Sequence, residues 1–162
     1  MSNLLEIRDL KTSFMTGGGE VQAVRGISLH VNRGECVGVV GESGSGKSVT
    51  FLSVLQLLAS TGKIVDGEIL FEGHDLTRMT RKQLRSVRGN QIAMVFQDPM
   101  SSLNPLIPVG KQVGEMLWSH NRSMTQAERE KRTVELFSMV RIPEQEKRLK
   151  SYPHEFSGGM RQ

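Results

Sequence analysis

The sequence has very little cysteine, few aromatic residues and no long apolar run. With one cysteine among 162 residues, no disulfide framework can form within the chain, which fits a reducing compartment. The N-terminus lacks the charged start and long apolar stretch of a signal peptide, and no run approaches the roughly 18 apolar residues of a membrane span. We therefore expect a cytosolic protein that meets a membrane only through a partner.

Aromatic residues make up only 5% of the chain, which bears on nucleic acid binding. Proteins that bind single-stranded nucleic acid combine basic grooves with aromatic side chains on which bases stack. The chain contains 21 lysines and arginines and 17 acidic residues, and the net charge of +4 is spread along the chain. Nucleotide phosphates suit this mild charge equally well, and we expect no nucleic acid partner.

The front part of the chain has the pattern of an α/β protein, and 162 residues suffice for one domain with a core. Partial alternation predicts strands over residues 5–10 and 21–31, separated by a glycine turn at 17–19. The apolar run 36–40 predicts a short parallel strand covered on both faces, with Cys36 as a small buried hydrophobic residue. The other predicted elements are a buried helix over 47–58, a strand over 67–73, a polar helix or loop over 75–88 and a second buried strand over 91–96.

The back part of the chain has a helical pattern. From Val109 onward apolar residues recur at helical spacing, which predicts a helical region over residues 109–150. Thr125 is followed three residues later by Glu128, the capping-box pattern that begins a helix. Pro143 should end that helix, and a short helix could follow over 144–149.

Residues 41–48 match G-x-x-x-x-G-K-[ST] between a predicted buried strand and a predicted helix. Glycines there let backbone N–H groups turn inward around phosphate oxygens, and the positive end of the helix adds attraction. We expect Lys47 to reach the β- and γ-phosphates and the Ser48 hydroxyl to bind Mg²⁺. The alternative is a glycine-rich connection that binds nothing. The predicted nucleotide-binding residues here are Gly41, Glu42, Ser43, Gly44, Ser45, Gly46, Lys47, Ser48 and Val49.

Three segments, in this order, resemble the nucleotide-binding subunits of ABC transporters: the loop 41–48, Val-Phe-Gln-Asp-Pro at 95–99 and Phe-Ser-Gly-Gly-Met-Arg-Gln at 156–162. The resemblance covers essentially the whole chain. The last segment is a variant of the family's Leu-Ser-Gly-Gly-Gln signature, with Phe156 and Met160 at its ends. The loop 41–48 and the segments 97–105 and 152–162 are also similar to the oligopeptide and dipeptide importer branch of that family.

The resemblance implies an α/β fold with a P-loop NTPase core, an antiparallel β subdomain and a helical subdomain. The β subdomain and P-loop core would span residues 1–108, the helical subdomain 109–156 and the start of the signature helix 157–162. We expect a truncated domain, because the chain ends as that helix begins and the strands that would complete the parallel sheet are missing.

The resemblance also implies roles outside the P-loop. Phe14 would lie against adenine, since an aromatic face can stack on any base, although a phenylalanine in the core is the alternative. Gln97 would approach Mg²⁺ and the attacking water, although it could be an ordinary polar residue that ends a strand. Ser157 would cap a helix, and with Gly158 and Gly159 it would meet ATP held by a second subunit.

The implied ligands are ATP and Mg²⁺, and the implied partners belong to an import system. They are transmembrane permease subunits, a second ATP-binding subunit in a homo- or heterodimer and, indirectly, an external solute-binding protein. The chain would then lie at the cytoplasmic face of the membrane. Peptide uptake is the expected role, although relatives with similar motifs carry nickel or other small solutes.

Hydrolysis in this family needs a metal-holding carboxylate, a catalytic carboxylate and a later histidine, and the sequence offers no match for them. Asp98 is a poor metal ligand because Gln97 displaces it from the strand and Pro99 follows it. His154 is more plausible in a loop or interface than as a catalytic base. We therefore expect weak ATP binding and little or no hydrolysis by this chain.

Two other functions remain open. The first is an interaction module that binds nucleotide without turnover. The second is a small P-loop kinase, which would need arginines on a mobile lid. The candidates for that lid are Arg81, Arg85 and Arg88.

Overall fold

The structure is a computed structural model that describes residues 3–96 and 102–162. The chain divides into two compact units, Met1–Ile92 and Ala93–Gln162. Gln97 and Asp98, two residues on which predictions were made, lie outside the described residues. Within the described part, no helix combines the length and the apolar character that crossing a bilayer requires.

The first unit is built on a four-stranded antiparallel sheet with the order β2-β1-β3-β4. The long hairpin of β1 and β2 confirms the two predicted strands and the glycine turn, where Gly19 has a positive φ of 114°. The strands are β1 (Asn3–Thr16), β2 (Gly19–Asn32), β3 (Gly62–Phe71) and β4 (His74–Asp75).

Two helices and a short 3₁₀ turn lie in the same unit: α1 (Lys47–Val54), the turn Leu76–Arg78 and α2 (Arg81–Val87). The predicted helix 47–58 ends earlier because Gln56 adopts a left-handed conformation, with φ 48°. The N–H groups of Gln56 and Leu57 then bond back to Ser53 and Leu52, which is a Schellman ending. The core contains Ile7, Leu10, Val24, Val54, Ile69, Phe71, Leu76, Leu84 and Val87.

The predicted parallel strand 36–40 and the predicted buried strand 91–96 do not form among the described residues, so these two predictions were wrong. Both segments are irregular, apart from a single bridge between Arg88 and Ile92. An extended segment becomes a strand only where a neighbouring strand completes its ladder of hydrogen bonds, and no described strand pairs with these two. Cys36 is accordingly exposed and not buried as predicted.

The second unit is helical, as the apolar spacing predicts. Thr125 and Glu128 form the predicted capping box at the start of α4, in which each side chain accepts from the other residue's backbone N–H. The helix ends before Pro143, where Arg141 adopts a left-handed conformation with φ 59°. The elements are α3 (Val109–His120), α4 (Gln126–Met139), α5 (Gln145–Arg148), a 3₁₀ turn (Pro153–Glu155) and α6 (Gly158–Arg161).

The core of the second unit is small and aromatic. Phe137 of α4 meets Phe156 edge to face, with ring centroids 6.5 Å apart and planes at 70°. Val109 and Ile142 complete the buried cluster. The residue that opens the predicted signature segment is therefore a core residue of this unit.

Candidate functional site: a phosphate-binding loop on the first helix

The loop 41–48 leads directly into α1, as the motif predicts. Gly46 is the N-cap residue of α1 and has a left-handed conformation, φ 90° and ψ 0°. No side chain caps this helix, and its first turn contains no acidic residue. The threonines at 80 and 125, by contrast, cap α2 and α4. The amino end of α1 therefore keeps both its positive dipole and its free N–H groups.

The free donors of α1 can be identified from its first hydrogen bond. The N–H of Thr50 donates to the carbonyl oxygen of Gly46 at 2.8 Å, which closes the first helical turn. The preceding N–H groups, at positions 46 to 49, have no acceptor within the helix. This explains why Val49 belongs with the loop: its backbone N–H, and not its side chain, is the group that a phosphate could meet.

Gly46 is also packed tightly against the sheet. The pairing of β1 with β2 skips Ala23, since Thr12 pairs with Val24 and Ser13 with Gln22, so Ala23 is the extra residue of a β-bulge. A Cβ atom at Gly46 would lie 2.7 Å from the Ala23 carbonyl oxygen. The loop thus rests against β2 at the bulge, a contact that sequence pattern alone gives no means of predicting.

Lys47 folds back over the loop that precedes it. Its ammonium nitrogen donates to the carbonyl oxygens of Gly41 and Glu42, each at 2.7 Å, and lies 3.4 Å from the Ser45 hydroxyl. An ammonium group has three donors and no acceptor, so these contacts hold a positive charge at the centre of the loop. Residues 41–45 are exposed, so an anion can reach this charge from solvent.

Ser48 is the predicted magnesium ligand, and its surroundings fit that role. Its side chain is exposed, and it has no hydrogen-bond partner among residues 3–96 and 102–162. A hydroxyl oxygen in that state has lone pairs free for a hard cation such as Mg²⁺. Over the same ranges there is no cluster of three or more histidine, cysteine, aspartate or glutamate side chains that would form a separate metal site.

Phe14 lies near the end of β1, on the strand next to the one that carries the Ala23 bulge. It pairs with Val21 of β2 and with Gly62 of β3. Its ring covers Gly62 so closely that a Cβ there would lie 2.6 Å from the ring edge. Phe14 is half-buried and does not belong to the core cluster, which leaves part of its surface accessible to a base.

Arg88 is bonded to the carboxyl end of α1. This contact bears on the alternative function in which Arg88 belongs to the mobile lid of a kinase. Its guanidinium donates to the carbonyl oxygens of Leu55 and Gln56 at 2.7 and 2.8 Å, in a partly buried position. Because these two hydrogen bonds fix the guanidinium to the end of α1, Arg88 is unsuited to a mobile lid. The sequence contains no signal from which this structural role of Arg88 could be predicted.

The predicted signature segment lies in the second unit. Ser157 is the N-cap of α6, and its hydroxyl oxygen accepts from the Met160 N–H at 3.4 Å, so the predicted cap is confirmed. Gly158 and Gly159 are exposed. Nearby, Arg148 donates to the carbonyl of residue 155 at 3.2 Å and Arg161 to that of residue 156 at 2.9 Å, which fixes the backbone leading into Ser157.

Residues 24–162 match the protein family described as ABC transporter. The chain belongs to the ABC transporter family. It is 52% identical over 163 residues to the oligopeptide transport ATP-binding protein OppD of Bacillus subtilis (strain 168), covering 100% of this chain and 45% of that protein. It is 49% identical over 163 residues to the dipeptide transport ATP-binding protein DppD of the same organism, with 100% and 48% covered.

Among solved structures, this ABC family chain is similar to a dimeric ATP-binding cassette, MJ0796, in a post-hydrolysis state bound to ADP and Pi. The TM-score is 0.79 at 25% identity, and the match covers 97% of this chain and 65% of that one. The predicted α/β fold class, with an antiparallel sheet and helices of a P-loop NTPase, is confirmed. The chain spans about half the length of the curated relatives it matches.

Proposed function

We propose that this chain is the nucleotide-binding part of an ATP-binding subunit in an ABC importer, and that it binds ATP with Mg²⁺ at residues 41–49. The observation that carries the proposal is the uncapped amino end of α1 beside the Lys47 ammonium. Free N–H groups, a helix dipole and a fixed cation together favour a polyanion over a neutral ligand.

Each group at the site has a distinct part in this proposal. The N–H groups of positions 46 to 49 bind phosphate oxygens, and Lys47 moves from its carbonyl acceptors to the β- and γ-phosphates. Ser48 would contribute its hydroxyl to Mg²⁺, which would neutralise phosphate charge. Phe14 would stack on the base, and Gln97, which lies outside the described residues, would contact the metal and the attacking water.

The relatives support a proposal for the assembly and the cargo. Ser157, Gly158 and Gly159 meet the nucleotide of a second ATP-binding subunit, an arrangement supported by the dimeric state of MJ0796. Transmembrane permease subunits and an external solute-binding protein would complete the importer, and this chain would lie at the cytoplasmic face of the membrane. Peptides are the proposed cargo because relatives at 49–52% identity are named as oligopeptide and dipeptide transport proteins.

ATP hydrolysis is proposed for the assembled subunit, with little turnover by this chain alone. Over residues 3–96 and 102–162 no group of three or more histidine, cysteine, aspartate or glutamate side chains could hold a metal ion, and the sequence offers no match for the carboxylates that hydrolysis in this family needs. ATP turnover of this chain should therefore stay near the background rate. Robust turnover would contradict this part of the proposal and leave ATP binding unaffected.

The proposal is tested by the affinity of the chain for MgATP, measured by isothermal titration calorimetry, in the wild type and in Lys47→Ala. Loss of charged hydrogen bonds to phosphate should weaken binding by at least about tenfold. Lys82→Ala, which removes an exposed lysine of α2, is the matched control and should leave the affinity unchanged. Equal affinities for wild type and Lys47→Ala would refute the proposed site.

A further inference from the structure

A chain of buried hydroxyl groups connects β1 to the helix that carries the phosphate loop. Thr12 of β1 and Ser53 of α1 are both fully buried, and their hydroxyl oxygens lie 2.9 Å apart. In the first unit the other buried polar residues among those described are Ser13 and Thr50. A hydrogen bond is directional, so the Thr12–Ser53 contact favours one relative position of β1 and α1.

The direction of these hydrogen bonds follows from counting protons. The Ser53 hydroxyl donates to the carbonyl oxygen of Val49 at 2.7 Å. A serine hydroxyl has one proton, so Ser53 must accept from Thr12 and the Thr12 hydroxyl must donate. The bonds therefore run from Thr12 through Ser53 to Val49, in the first turn of α1.

Both ends of this chain of bonds lie next to groups that are proposed to bind nucleotide. Val49 is the last position with a free N–H group at the amino end of α1. Thr12 precedes Phe14 by two residues in β1, about 7 Å along the strand. One hydrogen bond thus relates the strand that carries the base-stacking ring to the helix that carries the phosphate donors.

We infer that Thr12 is a positioning residue that sets the spacing between the base-binding ring of Phe14 and the phosphate-binding end of α1. This inference rests on the proposed function. A ligand that uses both ends of the site depends on that spacing. A ligand that uses only the loop does not, because the Lys47 bonds lie within the loop and the loop is held against β2 by Gly46 at Ala23, not by Thr12. Thr12 thereby favours a nucleoside triphosphate over a bare triphosphate.

The test compares two ligands, MgATP and magnesium tripolyphosphate, in Thr12→Val. Valine keeps the size and branching of threonine and removes the donor. The affinity for ATP should fall roughly three- to tenfold while that for tripolyphosphate stays within about twofold. Thr12→Ser, which restores the hydroxyl, should recover the wild-type ratio of the two affinities. A ratio unchanged in Thr12→Val would overturn the inference.

A purely structural role for Thr12 gives a different result. In that case Thr12→Val would lower the melting temperature and reduce the affinities for ATP and tripolyphosphate by the same factor. That result also overturns the inference. If Thr12→Val does not fold, Ser53→Ala removes the acceptor of the same bond. It must then also lower the affinity for ATP relative to that for tripolyphosphate. Failure of the proposed function is separately visible, because the wild type would then bind neither ligand or Lys47→Ala would bind both normally.

Discussion

A Cβ atom on Gly46 would lie 2.7 Å from the carbonyl oxygen of Ala23, the bulged residue of β2. Real Cβ atoms essentially never approach an oxygen so closely. The same glycine has a φ of 90°, a backbone conformation that residues with a side chain rarely adopt. Two independent constraints therefore select glycine at the position where the phosphate loop becomes a helix.

The first prediction is that Gly46→Ala abolishes nucleotide binding and destabilises the first unit. The added methyl group must push α1 away from β2 or strain the loop, at a cost of about 1–3 kcal/mol in unfolding free energy. Urea denaturation and ATP titration measure the two effects. Gly38→Ala is the control, because Gly38 has open space around its Cα and should change neither quantity. Normal ATP affinity in Gly46→Ala would contradict the packing described for the loop.

The second prediction concerns the aromatic core of the second unit. Phe156→Ala removes a buried ring in contact with Phe137 and should lower the unfolding free energy by about 3–5 kcal/mol. Phe156→Leu fills most of the volume, and leucine stands at the matching position of the family signature. Phe156→Leu should lower the unfolding free energy by less than half as much as Phe156→Ala. A cost for Phe156→Ala below about 1 kcal/mol in denaturant unfolding would show that the ring is not part of the core.

The third prediction concerns the pH dependence of α4. Hydrogen bonds from the Thr125 N–H and hydroxyl lower the pKa of Glu128 from its ordinary value of 4.5. A lowered carboxyl pKa in the folded state gives stability that is present above pH 4.5 and is lost as pH falls through the folded value. The comparison is with Glu128→Gln, which keeps an acceptor but does not titrate.

The stability advantage of Glu128 over Glu128→Gln should therefore be constant near neutral pH and shrink below pH 4.5. Unfolding free energies from chemical denaturation at several pH values give this difference. An advantage that instead grows as the pH falls would have the wrong sign for a stabilised carboxylate. It would refute the capping contact as the cause.

The fourth prediction is that Cys36 reacts with a thiol reagent such as Ellman's reagent in the native chain, without denaturant. Cys36 is exposed in an irregular segment, and no described strand covers it. Denaturant should accelerate labelling only slightly. Protection until the chain unfolds would mean that segment 36–40 is buried, as its apolar pattern suggests.

Features encoded by neighbouring residues were predictable from the sequence. The glycine turn of the hairpin, the start of α1 at Lys47 and the two caps at Thr125 and Ser157 each depend on residues within four positions of one another. The loop motif is of the same kind, since the conformation of Gly46 is required by the turn it makes. These predictions needed no knowledge of distant contacts.

Features that depend on distant partners were missed or misjudged. The apolar runs 36–40 and 91–96 have strand composition, but a strand forms only with a neighbour, and composition does not show whether one is present. The Ala23 bulge, the Thr12–Ser53 bond and the attachment of Arg88 to α1 join residues from different elements. Residue patterns within one segment contain no information about such pairs.

The amino end of α1 and the Lys47 ammonium are proposed to bind a triphosphate. The decisive experiment is a crystal structure of this chain grown with a nonhydrolysable ATP analogue and Mg²⁺. We expect the phosphates to contact the backbone N–H groups at positions 46 to 49, with Lys47 displaced from the Gly41 and Glu42 carbonyls toward the β- and γ-phosphates. A loop that stays empty at a saturating concentration of the analogue, or a nucleotide bound elsewhere, would show that residues 41–49 are not the nucleotide site.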